Sequence, residues 1–403
     1  MSAALSSVQI AEYYSKFFAR TESEELLDEQ SAHVNSRSTS RFKAPAPTSE
    51  NEILSIEFNP NGSLLAYTRR DGTFNIWKLR TEKPDIYMPV SDTQGFEKCV
   101  SSISWNPNEE NQIASVANFK TVEIWDAVSG APLRTLITAE TMKNSECKFD
   151  PTGRWLVVLT ECDKLYLFDT SSGYSLKSIF ELHEVYMEDK GATDAAVSIE
   201  WDSFGSFIFA GFKSGKIMIL RVSEDHGIAL TFEISDHLGA ITCMKCDPTG
   251  RYFVAGSEDT TCSVWNVQDM CCEWVIDDFD DCITDVDICH NGYSLAVCSA
   301  SGTRIYSLSN KNCLFERISK GVLSQSKFRF YPRKTWFISN GKSDVLSKFY
   351  VPKIFNPLML YEREENKRKS EKRKPRESNY GRSRRDEEQP SRNRYYNKKS
   401  LRR

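Results

Sequence analysis

The sequence predicts an all-β protein, a closed β-propeller of seven four-stranded blades. A short N-terminal helical extension is expected before the ring and a disordered basic C-terminal tail after it. Three observations carry this reading. One turn motif recurs along most of the chain, strand-period alternation flanks each copy, and the charge changes sign near residue 362.

The turn comes first because it sets the repeat. "DPTGR" stands at Asp150–Arg154 and again at Asp247–Arg251. Asp first, Pro second and Gly fourth is the preferred chemistry of a type I turn, since Pro presets φ and the Asp carboxylate bonds its own backbone. Related turns read "FNPNG" from Phe58, "WNPNE" from Trp105, "FDPTG" from Phe149, "WDSFG" from Trp201, "CDPTG" from Cys246, "ICHNG" from Ile288 and "FYPRK" from Phe330. Their third letters fall at 60, 107, 151, 203, 248, 290 and 332, so the spacing runs from 42 to 52 residues. Few repeat architectures have that period. Helical repeats are excluded because the apolar period is 2 and turns interrupt it every 10 to 12 residues.

The elements follow in chain order. Residues 1–30 form the helical extension: Ile10, Tyr13, Tyr14, Phe17 and Phe18 recur at helical spacing, and "TESE" at Thr21–Glu24 fits a capping box. That aromatic stripe folds back onto the propeller or docks into a partner's groove, and disorder of the stretch is the third reading. Residues 31–52 are a lead-in, and Ser31–Ser38 within it is the favoured strand for closing the ring; Leu358–Tyr361 is the rival. Residues 53–352 are the propeller. In each unit a second apolar strand follows the turn, then a third strand ending on a large apolar residue. Trp77, Trp125, Phe168, Leu220, Trp265, Tyr306 and Phe349 stand at or near the ends of these third strands. A blade cannot bury both faces alone, so the blades must pack on one another and the ring must close.

Residues 353–403 are the tail. From Glu362 to Arg403 there are 17 Lys+Arg against 8 Asp+Glu, a net of +9, while residues 1–361 carry a net of −13. An acidic body with a basic arm suggests two parts with different partners. The arm is too poor in apolar residues to fold alone. Its candidate nucleic-acid-binding residues are Lys372, Arg373, Lys374, Arg376, Arg382, Arg384, Arg385, Arg392, Arg394, Tyr395 and Tyr396: cations that neutralise phosphates, and rings that stack on unpaired bases. "KRKSEKRKPR" at Lys367–Arg376 also reads as a nuclear-import signal, and plain solvation remains a third reading.

Several classes are excluded. No run approaches the ~20 apolar residues of a membrane span, and no basic-then-apolar leader opens the chain. The 12 cysteines are therefore expected to be reduced thiols. "CMKC" at Cys243–Cys246 has metal-ligand spacing, but residues three apart on a strand face opposite ways. The acidic run "DDFDD" at Asp277–Asp281 is a solvated loop or an attractor of basic partners. No nucleophile elbow, P-loop, HExxH or GxGxxG is present, so no enzyme, cofactor or metal is expected.

The "IWD" at Ile124–Asp126 and the sevenfold agreement resemble the WD-repeat family over roughly residues 50–352. That resemblance implies a buried hydrogen-bond chain in the fifth unit through His237, Asp259 and Trp265, aided by Ser257. A closer resemblance rests on "AHVNSRSTSRF", "NEILSIEFNPNGSLLAYTRRDGT" and "YPRKTWFISNGKSDVLSKFYV". These are similar to the fungal WD-repeat subunit of the THO complex, the core of TREX (transcription–export). It implies a nuclear, non-enzymatic scaffold docked on a large helical subunit. A DEAD-box RNA helicase and an export adaptor are then partners through the complex, with possible direct RNA or DNA contact by the tail. A chromatin or histone-binding WD protein and a ubiquitin-ligase substrate receptor are the alternatives.

Overall fold

A computed structural model describes residues 53–349, apart from 71–73, 79–82, 88–99, 118–119, 139–142, 183–193, 319–326, 333–336 and 341–345. The chain parts into two compact units, Met1–Pro352 and Lys353–Arg403, and all described residues belong to the first.

That unit is all β. Six four-stranded antiparallel sheets follow one another, each with its strands in chain order. They are blades 1 to 6, over residues 53–87, 100–137, 144–181, 196–235, 241–276 and 283–318. A further sheet has three strands, Phe328–Phe330, Phe337–Asn340 and Leu346–Phe349. The first strands of successive blades pack side by side, and that of the last sheet touches that of blade 1. First strands are therefore innermost, around a central channel. Fourth strands such as Ala131–Ile137 lie at the rim and are mostly exposed.

The core is not one mass but seven clusters, one at each junction between neighbouring sheets. The largest side chains of the blade 3–4 junction are Trp155, Trp201 and Phe212. The last junction brings Ile338 of the seventh sheet against Ile53, Ile56, Leu65 and Tyr67 of blade 1. This layout explains a departure from period 2. Second strands such as Trp155–Thr160 and Ser294–Ser299 are buried at every position. Both of their faces meet a neighbouring blade, so they read as continuous apolar runs.

The repeated turn is built as its chemistry requires. In the first DPTG the Gly153 N–H donates to the Asp150 carbonyl at 2.9 Å, and the Trp155 N–H donates to Asp150 Oδ1 at 2.6 Å. Gly153 sits at φ 69°, the left-handed residue that follows a type I turn in a hairpin. A Cβ there would meet the Asn108 amide of blade 2 at 2.6 Å. The turns also hook together: Asn108 Nδ2 donates to the Thr152 carbonyl at 2.7 Å, and Arg251 Nη2 to the Gly292 carbonyl at 2.7 Å.

Six blades match the expected four strands and the seventh sheet has three among the described residues. Its strands are short, of 3, 4 and 4 residues, and its turn "FYPRK" has Lys334 where five of the others have Gly. The two candidate closing segments, Ser31–Ser38 and Leu358–Tyr361, lie outside the described residues. So do the N-terminal helix of residues 1–30 and the tail of residues 353–403. No helix appears among the described residues.

Candidate functional site

The eleven tail residues proposed for nucleic acid fall outside the described residues. His237, Asp259 and Trp265 fall inside, all in blade 5 and its loops. His237 Nδ1 lies 3.0 Å from Asp259 Oδ2, and its Nε2 lies 2.7 Å from Ser263 Oγ. Trp265 Nε1 donates to the same Ser263 oxygen at 2.9 Å. The link between ring and indole is thus Ser263, which sequence reading missed. Ser263 lies two residues before Trp265 on the same strand, so strand periodicity puts both on one face. Ser257 acts beside the chain: its Oγ donates to the Gly239 carbonyl at 3.0 Å and accepts the Asp259 N–H at 3.2 Å.

Burial works against the Asp259 charge. Hydrogen bonds from the Thr261 side chain, the Leu238 N–H and the Thr261 N–H outweigh it, with His237, and hold its carboxyl at about 2. The group is a carboxylate at neutral pH, clamping the loop before blade 5 to a turn within it.

The cysteines of "CMKC" point apart. Cys243 packs in the blade 5–6 cluster and Cys246 in the blade 4–5 cluster. Burial pushes the Cys243 thiol up to about 12 and Cys246 well above its ordinary value, so neither is a thiolate at neutral pH. Among the described residues no group of three His, Cys, Asp or Glu could hold a metal ion, and no helix is long and apolar enough to cross a membrane. In "DDFDD", Phe279 is buried beneath the Arg304 guanidinium, 4.9 Å from the ring centre, which pins the acidic loop to blade 6.

The richest chemistry lies in the central channel, a polar space of about 200 Å³. Hydroxyls of Ser102, Ser145 and Ser198 line it, with the cations Lys148, Lys245, Lys327 and Arg329. Each inner strand ends on the residue before the turn, and the residue just ahead of that end forms a ring around the axis. In blade order these are Glu57, Ser104, Lys148, Glu200, Lys245, Asp287 and Arg329. Their charges run minus, neutral, plus, minus, plus, minus, plus, a net of zero.

Contacts across the junctions are direct. Lys148 Nζ lies 2.5 Å from Glu200 of the next blade, and Lys245 Nζ is 3.7 Å from the same Glu200; within its own strand Lys148 Nζ is also 3.4 Å from Glu146. Arg329 Nη1 reaches Asp285 at 2.7 Å. Acceptors in the same strands take backbone N–H groups from the next blade. Ser104 Oγ accepts from Phe149 at 3.0 Å, Glu146 from Ile199 at 2.7 Å, Asp285 from Phe328 at 2.9 Å and Asp287 from Phe330 at 2.6 Å. Burial opposes the Lys148 ammonium, and Glu200 and Glu146 override it, raising its pKa. Burial also opposes the Glu200 charge, and Lys148 and Lys245 override it, lowering its pKa. For Asp287 burial wins over Arg329 and Lys245, and its carboxyl rises to about 6.

The WD domain, G-beta repeat family matches residues 38–78 and 229–266, the second stretch holding His237, Asp259 and Trp265. Protein TEX1 of Saccharomyces cerevisiae is 36% identical over 351 residues, covering 85% of this chain and 81% of that protein. The chain is a WD-repeat protein of the TEX1 family. Another relative of this TEX1-family chain, THO complex subunit 3 of Arabidopsis thaliana, is 26% identical over 226 residues, 55% of this chain and 65% of that protein. The crystal structure of the Myceliophteria thermophila Cps50 (Swd1) β-propeller domain superposes with a TM-score of 0.61 at 16% identity. It covers 77% of this chain and 99% of that domain, and it shows the propeller fold.

Proposed function

We propose that this TEX1-family protein is a non-enzymatic scaffold subunit of a nuclear THO-type complex that couples transcription to mRNA processing and export. The observation that carries the reading is the relative named THO complex subunit 3, matched over 226 residues, together with the THO-like lead-in "AHVNSRSTSRF". The architecture agrees with it. The three-stranded sheet is read as the seventh blade, and the closed ring is rigid and offers loops and rims rather than a reactive centre. In this reading the propeller docks on a large helical scaffold subunit and meets the helicase and adaptor through the complex. Tagged protein purified from nuclear extract is expected to bring down THO subunits. Recovery of histones or of a ubiquitin-ligase adaptor in their place would replace this reading with one of its alternatives.

The basic tail supplies nucleic-acid contact in this scheme. Each phosphate neutralised adds roughly 0.7 to 0.9 to the slope of log affinity against log salt. Deleting 367–403 is expected to weaken RNA binding and flatten that slope by several units while leaving the thermal transition of the propeller in place. An unchanged slope in a filter-binding titration would remove the tail from the binding surface.

A further inference from the structure

The channel ring carries an inference about how the propeller assembles. The observation is its order. Going round the axis from Lys148 to Glu57, six charged positions alternate in sign without an error. An odd-membered ring cannot alternate two signs throughout. The one mismatch is absorbed at Ser104, a neutral residue between Glu57 and Lys148. Its hydroxyl still serves the next blade by accepting the Phe149 N–H. Propeller seams are otherwise similar: each is an apolar cluster that includes Ile and aromatic side chains. Apolar packing alone discriminates poorly between such faces, whereas juxtaposing like charges at a buried seam is strongly penalised.

We propose that the residue ahead of the end of each inner strand is a neighbour code: its alternating charge, with Ser104 as the neutral joint, selects which blade packs beside which and closes the ring at seven. This rests on reading the three-stranded sheet as the seventh blade. It does not depend on what the protein binds. Buried ion pairs are a poor source of net stability, and their attested use is in fixing register and partner choice. The geometry fits that use. Lys148 bridges blade 3 to Glu200 of blade 4, and Lys245 reaches back to the same Glu200; on the seventh sheet Arg329 pairs with Asp285, two residues before Asp287, while Asp287 itself accepts the Phe330 N–H.

The test compares neutral and reversed charge in the full-length chain. Lys148→Met leaves Glu200 short of a partner, and Lys148→Glu sets a carboxylate against it. The code expects Lys148→Glu to lower the melting temperature by several degrees more than Lys148→Met. It also expects Lys148→Met with Glu200→Gln to melt above the sum of the two single losses, since the remaining charges still alternate. Hydrogen exchange supplies a readout that a local ion pair would not move. The amides of Phe328 and Phe330 donate to Asp285 and Asp287 on another part of the ring. Lys148→Met is expected to speed their exchange at least tenfold, because a fault at one seam loosens a closed ring at the others. Three results would each overturn the proposal: Lys148→Glu melting no lower than Lys148→Met, a double variant equal to the summed singles, or Phe328 and Phe330 amides that exchange as in the wild type. If Lys148→Glu yields no folded protein, the double variant and the exchange measurement still decide.

Discussion

Replacing Trp201 with alanine is expected to cost about 4 kcal/mol of folding stability, a large share of the ~5–15 kcal/mol that holds a typical domain together. Trp201 is the largest of the fully buried side chains and stands at the centre of the blade 3–4 junction. Its indole packs in one cluster with Trp155, Val157 and Leu220, so alanine leaves a cavity that rigid sheets on both sides cannot collapse into. A second loss adds to the first. Trp201 Nε1 donates to the Lys148 carbonyl at 3.1 Å across the junction, and Trp105 Nε1 makes the matching bond to the Glu57 carbonyl at 3.3 Å. Trp201→Phe keeps most of the volume and loses only that bond, at about 1–2 kcal/mol. Denaturant unfolding of the three proteins checks the order. An alanine variant within 1 kcal/mol of the wild type would mean that the junction is not a core.

Asp150→Ala is expected to cost about 2–3 kcal/mol, and Asp150→Asn under ~1 kcal/mol. Asp150 is wholly buried, and its carboxylate accepts the Trp155 N–H at 2.6 Å and the Thr152 N–H at 3.1 Å. Alanine leaves the Trp155 donor buried without its side-chain acceptor. Asparagine keeps an acceptor oxygen, and the protein already uses it elsewhere: Asn59 Oδ1 accepts the Leu64 N–H at 2.9 Å in the first turn. The pH dependence has a defined sign. Burial raises the Asp150 pKa above 3.8 against the hydrogen bonds that lower it. A carboxyl raised in the folded state contributes stability that is full below its unfolded pKa and is lost as pH rises through its folded pKa. Asp150→Asn removes that titration. Its stability relative to the wild type should improve on going from acid to neutral pH, as read from paired unfolding curves. A deficit that grew with pH would contradict the burial argument.

Legibility in the sequence tracked the range of the interaction. Turn chemistry is local, so "DPTGR" and its relatives disclose the repeat and the order of the strands within each unit. His237, Asp259 and Trp265 were reached by resemblance, but the oxygen joining them, on Ser263, had no motif to mark it. The charged ring was missed for a physical reason. Glu57, Lys148 and Arg329 each sit in an alternating strand where a polar residue is unremarkable, and their partners are about one repeat away. Only lining up all seven inner strands on the residue before the turn reveals the sign pattern. The seventh sheet is the least regular of the set: its strands have 3, 4 and 4 residues, and its turn carries Lys334 where five others carry Gly.

The direction of the bonds between blades bears on synthesis. Ser104, Glu146 and Asp285 each hold out an acceptor to a strand that lies later in the chain. On a ribosome that makes roughly 5–20 residues per second, a nascent blade therefore waits some seconds, with an unfilled edge, for the amides of its successor. The last seam to form is the one where Ile338 meets Ile53 and Ile56, because its two sides are the farthest apart along the chain.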